Sequence, residues 1–317
     1  MLFTRLVKNR PFSARNGYVS GGTSYGFKGS TIYNTIERHF IKVPGTATNN
    51  FGTLTTARSE NAAMASQING GRLLTVAGRS GAEVLLASIE VMENKTGGAS
   101  TAYGNIRAAV AGGGGCANGS VGLFMGGYNN GVPSSAIDTM QIKVNANSTG
   151  FGDLNSTKFY NPCYANRGNM YSAFGQDGGN QAIDAIDTKS FKNSGTCSRF
   201  SSVAVSNTTV ANSVFVCNEQ QGLRMGGSTN ALAATNVIEW VTLKTITVAT
   251  SAGNLTAAKY AAGGAASQQR AFFIKGATAV GAAVATSDYT NFKSRANATT
   301  LGTLTGVKAY MGSYGGS

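Results

Sequence analysis

Apolar residues along this chain come in short bursts. Segments of four to eight residues, apolar throughout or alternating with polar residues, are separated by clusters of Gly, Asn, Ser and Thr. One stretch reads FYNPCYAN (159–166), MYSAFG (170–175), AIDAIDTKSF (182–191) and SRFSSV (198–203). Such segments with turn residues between them predict strands, and four of them recur in every stretch of about 50 residues.

Three anchors keep the same order through six repeats. The first is a residue followed by an acid: Ile36-Glu37, Ile89-Glu90, Ile137-Asp138, Ile186-Asp187, Ile238-Glu239 and the degenerate Ser287-Asp288, spaced by 53, 48, 49, 52 and 49 residues. The second follows 17 or 18 residues later in phase: FGTL (51–54), YGNI (103–106), FGDL (151–154), FSSV (200–203), AGNL (252–255) and LGTL (301–304). The third precedes the acid and is an apolar strand ending in small residues: GYVSGG (17–22), LLTVAG (73–78), LFMGG (123–127), MYSAFG (170–175), LRMGG (223–227) and FFIKG (272–276). Four short strands per repeat of this length predict an all-β, six-bladed β-propeller.

The phase of the anchors at the chain ends predicts how the ring closes. After Leu304 too few residues remain for a whole blade, and the missing Gly-ended strand lies at the other end of the chain, in NGYVSGG (16–22). The closing blade then takes its first strand from about 307–313 and its other three from about 17–54. The remaining blades fall at 55–106, 107–154, 155–203, 204–255 and 256–304, so residues 16–317 form the propeller and residues 1–15 a basic N-terminal arm. A ring closed by both ends leaves no long exposed sheet edge. The first strand of each blade is expected near the axis, where small residues let backbones converge, as in NAAMAS (61–66), AAVAGGGGCA (108–117) and AAGGAAS (261–267).

Composition now has a place to go. The 43 glycines among 317 residues fit inner strands and strand ends, where they supply positive φ. Six of only 13 acidic residues occupy the one repeat position, so these acids are expected to be structural. Against them stand 26 basic residues, a formal net charge of +13. Cys116, Cys163, Cys197 and Cys217 show no CxxC spacing and read as buried or free thiols. No uncharged apolar run is long enough to cross a bilayer as a helix, so no membrane insertion is expected.

The order Gly-Gly, apolar-acid, aromatic-x-x-Leu and then a base resembles the kelch repeat. On that resemblance the acids at 90, 138, 187 and 239 match the family's Asp, and Phe51, Tyr103, Phe151 and Phe200 match its Trp. Arg58, Lys158, Lys259 and Lys308, each four residues after the Leu-type anchor, match its Arg, while Val110 and Asn207 depart from it. The stretches FGTLTTAR (51–58) and SAIDTMQIKVNANSTGFGDLNSTK (135–158) are similar to kelch-like virion and tail proteins of tailed bacteriophages. That resemblance implies a place in the virion and other virion or tail proteins as partners.

Candidate chemistry is sparse. His39 is the only histidine, so triad catalysis would have to run through it, and it is expected to be structural. The GGGG run (112–115) lacks the Gly-Lys-Ser/Thr that a phosphate loop requires. No catalytic residue, metal ligand or cofactor site is expected. The candidate partner-binding residues are Arg5, Lys8, Arg10 and Arg15 on the arm, and Arg58, Lys158, Lys259 and Lys308 at one recurring position, where pairing with the repeat acids is the competing role. The bases are scattered, not gathered in a stripe, so nucleic acid is not expected as the primary ligand. The expected function is a non-enzymatic structural component of a bacteriophage particle. The alternative is a receptor-binding propeller recognising host surface glycan, with Tyr128 and Trp240 as candidate contact aromatics.

Overall fold

The computed structural model describes residues 16–20, 31–40, 47–65, 71–81, 83–166, 168–202, 212–229, 233–245, 249–279, 282–303 and 306–314. They form a six-bladed β-propeller whose blades are four-stranded antiparallel sheets. Blade 1 is Ala62–Ala65, Arg72–Val76, Ser88–Glu93 and Thr101–Asn105, and blade 2 is Gly114–Ala117, Val121–Met125, Ala136–Gln141 and Thr149–Asp153. Blade 3 is Cys163–Ala165, Asn169–Ala173, Ala185–Ser190 and Ser198–Ser202. Blade 4 is Val214–Cys217, Gln221–Met225, Val237–Thr242 and Thr250–Asn254, and blade 5 is Gly263–Ala266, Arg270–Ile274, Thr286–Asn291 and Thr299–Thr303. The closing blade 6 takes its first strand, Gly312–Tyr314, from the C-terminal end and pairs it with Asn16–Ser20, followed by Thr35–Phe40 and Ala47–Thr53. The first strands touch one another in ring order and line the axis.

Each blade is covered on both faces by its neighbours, so its inner strands are apolar on both sides and do not alternate. Leu73 joins the core between blades 6 and 1, while the adjacent Leu74 joins the core between blades 1 and 2. Alternation of side chains across a strand thus feeds two seams at once. The fully buried Phe124, Tyr171, Phe272 and Phe273 fill these seams.

The three anchors each have a mechanical cause. At every acid the pairing of third and fourth strands shifts register: after Ile36, Ile89, Ile137, Ile186, Ile238 and Ser287. A β-bulge re-aims the side chain that follows it, and here that side chain is always the acid. The two residues that end the second strand bend the chain over. The first of the two has φ of +59° at Ala77, +68° at Gly126, +56° at Phe174, +59° at Gly226 and +59° at Lys275. The second is always Gly in these blades, with φ between +92° and +112°, and a Cβ at Gly78 or Gly276 would lie 2.6 Å from the carbonyl oxygen of Ser59 or Tyr260.

The Gly of the FGTL-type anchor joins blades at their outer edge. Gly52 pairs in parallel with Gly98 of the next blade's turn, and Gly152 does the same with Gly195. The outer strand therefore does not end as a bare edge. Gly152 has φ +147° and a Cβ there would overlap the backbone of Gly195. Gly152→Ala is expected to cost about 1–3 kcal/mol through overpacking, read as a lower urea midpoint, whereas Gly81→Ala, which meets nothing within 4 Å, is expected to stay within about 0.5 kcal/mol.

Candidate functional site

The repeat acids face the linker that enters their own blade. Glu90 pairs with Arg58, and the Thr55 amide donates to the same carboxylate at 2.7 Å. Lys158 Nζ lies 2.9 Å from Asp187 Oδ2, and Lys259 Nζ lies 2.9 Å from Asp288 Oδ2, with all four side chains buried. Lys308 reaches Glu37 at 2.7 Å, and Lys275 pairs with the same acid. Arg58, Lys158, Lys259 and Lys308 are thus buried in the seams and do not present the partner-binding surface expected of them. The physical reason is the bulge: it turns each acid under the linker, and the base four residues past the anchor is the nearest counter-charge. Arg5, Lys8, Arg10 and Arg15 lie outside the described residues.

Two blades lack a base at that position and recruit one elsewhere. Asp138 pairs with Arg107, three residues before Val110 and half exposed. Glu239 pairs with Arg224 at 2.6 Å, which stands directly across from it on the neighbouring strand. Asn207 is outside the described residues.

Burial by itself raises the pKa of Glu37, but Lys275 and Lys308 outweigh it and hold the carboxyl below its ordinary value. Burial also raises Glu90, and the Ser100 hydroxyl, Arg58 and Thr55 together bring it below the ordinary value. A carboxyl held low in the folded chain contributes stability above its unfolded pKa of about 4.3, and that contribution disappears as pH falls through the folded value. The thermal midpoint is therefore expected to hold from pH 7 to about pH 5 and to drop below about pH 4.3, more steeply than in Glu37→Gln. A midpoint indifferent to pH down to 3 would contradict these assignments.

A second constellation surrounds the axis where the linkers enter the first strands. Glu60, Gly112, Tyr160, Asn212, Ala261 and Tyr310 occupy equivalent places in the six linkers, and all have φ between +50° and +66°. Their backbones form a collar: Tyr310 donates to Ala261, Glu60 to Tyr310, Gly112 to Glu60, Tyr160 to Gly112 and Ala261 to Asn212. Tyr160 and Tyr310 stand third and sixth around the ring, yet their rings meet with centroids 6.1 Å apart, so they reach across the mouth of the channel. Tyr128 continues this arc beside Tyr160 at 5.9 Å, and Tyr260 beside Tyr310 at 6.3 Å.

Glu60 organises one side of the mouth. Its carboxylate accepts the Tyr128 hydroxyl at 2.6 Å and the Tyr160 hydroxyl at 3.0 Å, with Arg79 Nε at 3.6 Å. Arg79 also donates to the Tyr128 hydroxyl and lies over that ring, 5.4 Å from its centroid. Burial, and then the Glu60 charge, push the phenols of Tyr128 and Tyr160 well up, so both stay protonated donors. A cavity of about 110 Å³ opens here, lined by Glu60, Tyr160, Asn161, Asn212 and Tyr310 among others. It has room for several water molecules, and its wall offers ring faces and amide and hydroxyl groups. Glu60 and the other collar residues carry no repeat motif; aligning the residue six places after each Leu-type anchor finds five of the six, missing Asn212, whose linker is longer, and it does not find Tyr128 or Tyr260.

His39 pairs through its backbone with Gly17. Trp240 is half-buried, packs on an inter-blade core and carries the Arg295 guanidinium 3.9 Å over its ring. Burial pushes the Cys163 and Cys197 thiols up to about 12, which leaves them poor nucleophiles. GGGG (112–115) spans the collar and the first strand of blade 2, where a Cβ at Gly114 would collide with Cys163. Among the described residues no three His, Cys, Asp or Glu side chains gather as a metal site, and no helix is long and apolar enough to cross a membrane. No protein-family model matches the chain, and no curated protein matches it.

Proposed function

We propose that this chain is a non-enzymatic structural disc of a bacteriophage particle, built into the tail or an appendage, that works through protein–protein contacts. The observation that carries the non-enzymatic part is the use of charge: each repeat acid is spent on an ion pair with a base of its entering linker or a paired strand. Groups that could otherwise move protons instead tie the linkers and strands of the blades in place. The kelch-like character and the phage origin rest on the likeness of residues 51–58 and 135–158 to kelch-like virion repeats. The test is mass spectrometry of gradient-purified particles. The chain is expected at a constant copy number that survives a high-salt wash, and its absence from the particles would overturn the proposal.

The tyrosine arc at the channel mouth favours a second reading, in which the disc recognises host surface glycan. Aromatic faces beside fixed hydrogen-bonding groups suit a hydroxyl-bearing ring. A glycan array is expected to show binding by the whole protein and its loss in Tyr160→Ala/Tyr310→Ala. Binding unchanged by that double substitution would remove the mouth from this reading.

A further inference from the structure

Five residues beyond every repeat acid stands a lysine: Lys42, Lys95, Lys143, Lys192, Lys244 and Lys293. Lys42 lies outside the described residues; the other five stand in the turn between the third and fourth strands. In four blades the preceding residue, Ile142, Phe191, Leu243 or Phe292, is apolar and buried. That residue pins the turn to the seam and leaves the lysine at its tip. Lys95, Lys143, Lys192, Lys244 and Lys293 are all exposed. Among the described residues none of these five has a carboxylate within ion-pair distance.

Strand direction places this ring on one face of the disc. The chain enters each blade at the collar, and its first strand runs away from the mouth. The third strand runs the same way, so its closing turn lies on the opposite face. The five lysines share that face with Arg72, Lys189, Arg270 and Arg295, against two acids, Glu93 and Glu219. The acids outside the seams otherwise belong to the mouth side: Glu60, Glu83, Asp153, Asp177 and Asp184. The excess positive charge of the described blades is therefore concentrated on one side.

We propose that this lysine face docks on an acidic protein surface that repeats around the same axis. The proposal rests on the reading of the chain as a non-enzymatic assembly disc. One cation per blade, spaced around the circumference, matches carboxylates distributed around a ring and engages several weak pairs at once. A phosphate backbone would instead call for bases lined along a track, with exposed aromatics for a single strand to stack on; Phe191 and Phe292 in these turns are buried. Opposed charge on the two faces also orients the disc before contact.

The test compares two variants of the full chain. One carries Lys→Gln at 95, 143, 192, 244 and 293; the other carries Gln in place of Arg5, Lys8, Arg10 and Arg15. The probes are poly-L-glutamate and duplex DNA of matched charge, at 50 and 150 mM salt. Because the five lysines are exposed and unpaired, the first variant is expected to keep its thermal midpoint. It is expected to bind poly-L-glutamate at least tenfold more weakly than the parent, while the second variant keeps most of its affinity. Carbodiimide coupling to poly-L-glutamate is expected to map to the turn lysines. Equal loss in both variants would overturn the proposal as mere net charge. Tighter binding to DNA than to poly-L-glutamate, lost with the turn lysines, would overturn it in favour of a nucleic-acid surface. These outcomes do not depend on whether the chain is found in particles.

Discussion

Truncation after Gly306 is expected to abolish cooperative folding. The deleted segment supplies the first strand of the closing blade, Gly312–Tyr314, paired with Asn16–Ser20. It also supplies Lys308 to Glu37 and Met311 to the core between blades 5 and 6. Tyr310 leaves with it, and the collar loses the bonds Tyr310 makes to Ala261 and receives from Glu60. The cut leaves Asn16–Ser20 without its inner partner, an open strand edge that is a template for association with other copies. A domain holds only about 5–15 kcal/mol of net stability, and these losses all fall on that small margin. The truncated chain is expected to show no sharp thermal transition and to elute as aggregates. A synthetic peptide of residues 307–317 added in trans is expected to restore the transition by strand addition. A truncated chain that melts like the parent would show that the ring does not need its closing strand.

Lys259→Met is expected to be strongly destabilising. Among the described residues it leaves Asp288 buried with no counter-charge, since Lys259 Nζ is its cation at 2.9 Å and the Thr256 hydroxyl, at 2.7 Å, is the side-chain partner that remains. Breaking one side of a buried pair costs about 3–5 kcal/mol. Replacing both partners, as Lys259→Met/Asp288→Leu, is expected to recover most of that loss, because no charge is then stranded. The exposed pair Arg72–Glu93 gives the contrast: Arg72→Gln is expected to cost no more than about 1 kcal/mol. Denaturant midpoints of the parent and the three variants check the order. A Lys259→Met chain as stable as Arg72→Gln would mean that the seam pairs carry no weight.

Much of the blade frame is legible in the sequence because each anchor answers to a local rule. A bulge, a left-handed bend and a close backbone approach each restrict one or two neighbouring positions, so Ile137-Asp138, Gly126-Gly127 and Gly152 leave a trace that recurs every 50 residues or so. The substitutes for missing bases leave no such trace. Arg224 serves Glu239 only because the two stand opposite on paired strands, and Arg107 serves Asp138 from a linker 31 residues away. The collar escapes for another reason: its six residues share a backbone angle and not a side-chain chemistry, so Glu60, Gly112 and Tyr310 do not look alike. The turn lysines are plain in the sequence once the acid is taken as the origin of each repeat. Their gathering on one face follows only from the strand directions.

Electron cryo-microscopy of virions purified from the source of this sequence, where the chain is proposed to sit, tests the central claim most directly. The expected density is a six-lobed disc with its turn-lysine face, Lys95 through Lys293, seated against an acidic neighbour and its tyrosine mouth turned away. A particle with no such disc, or a disc seated by its mouth with the lysines in solvent, would contradict it.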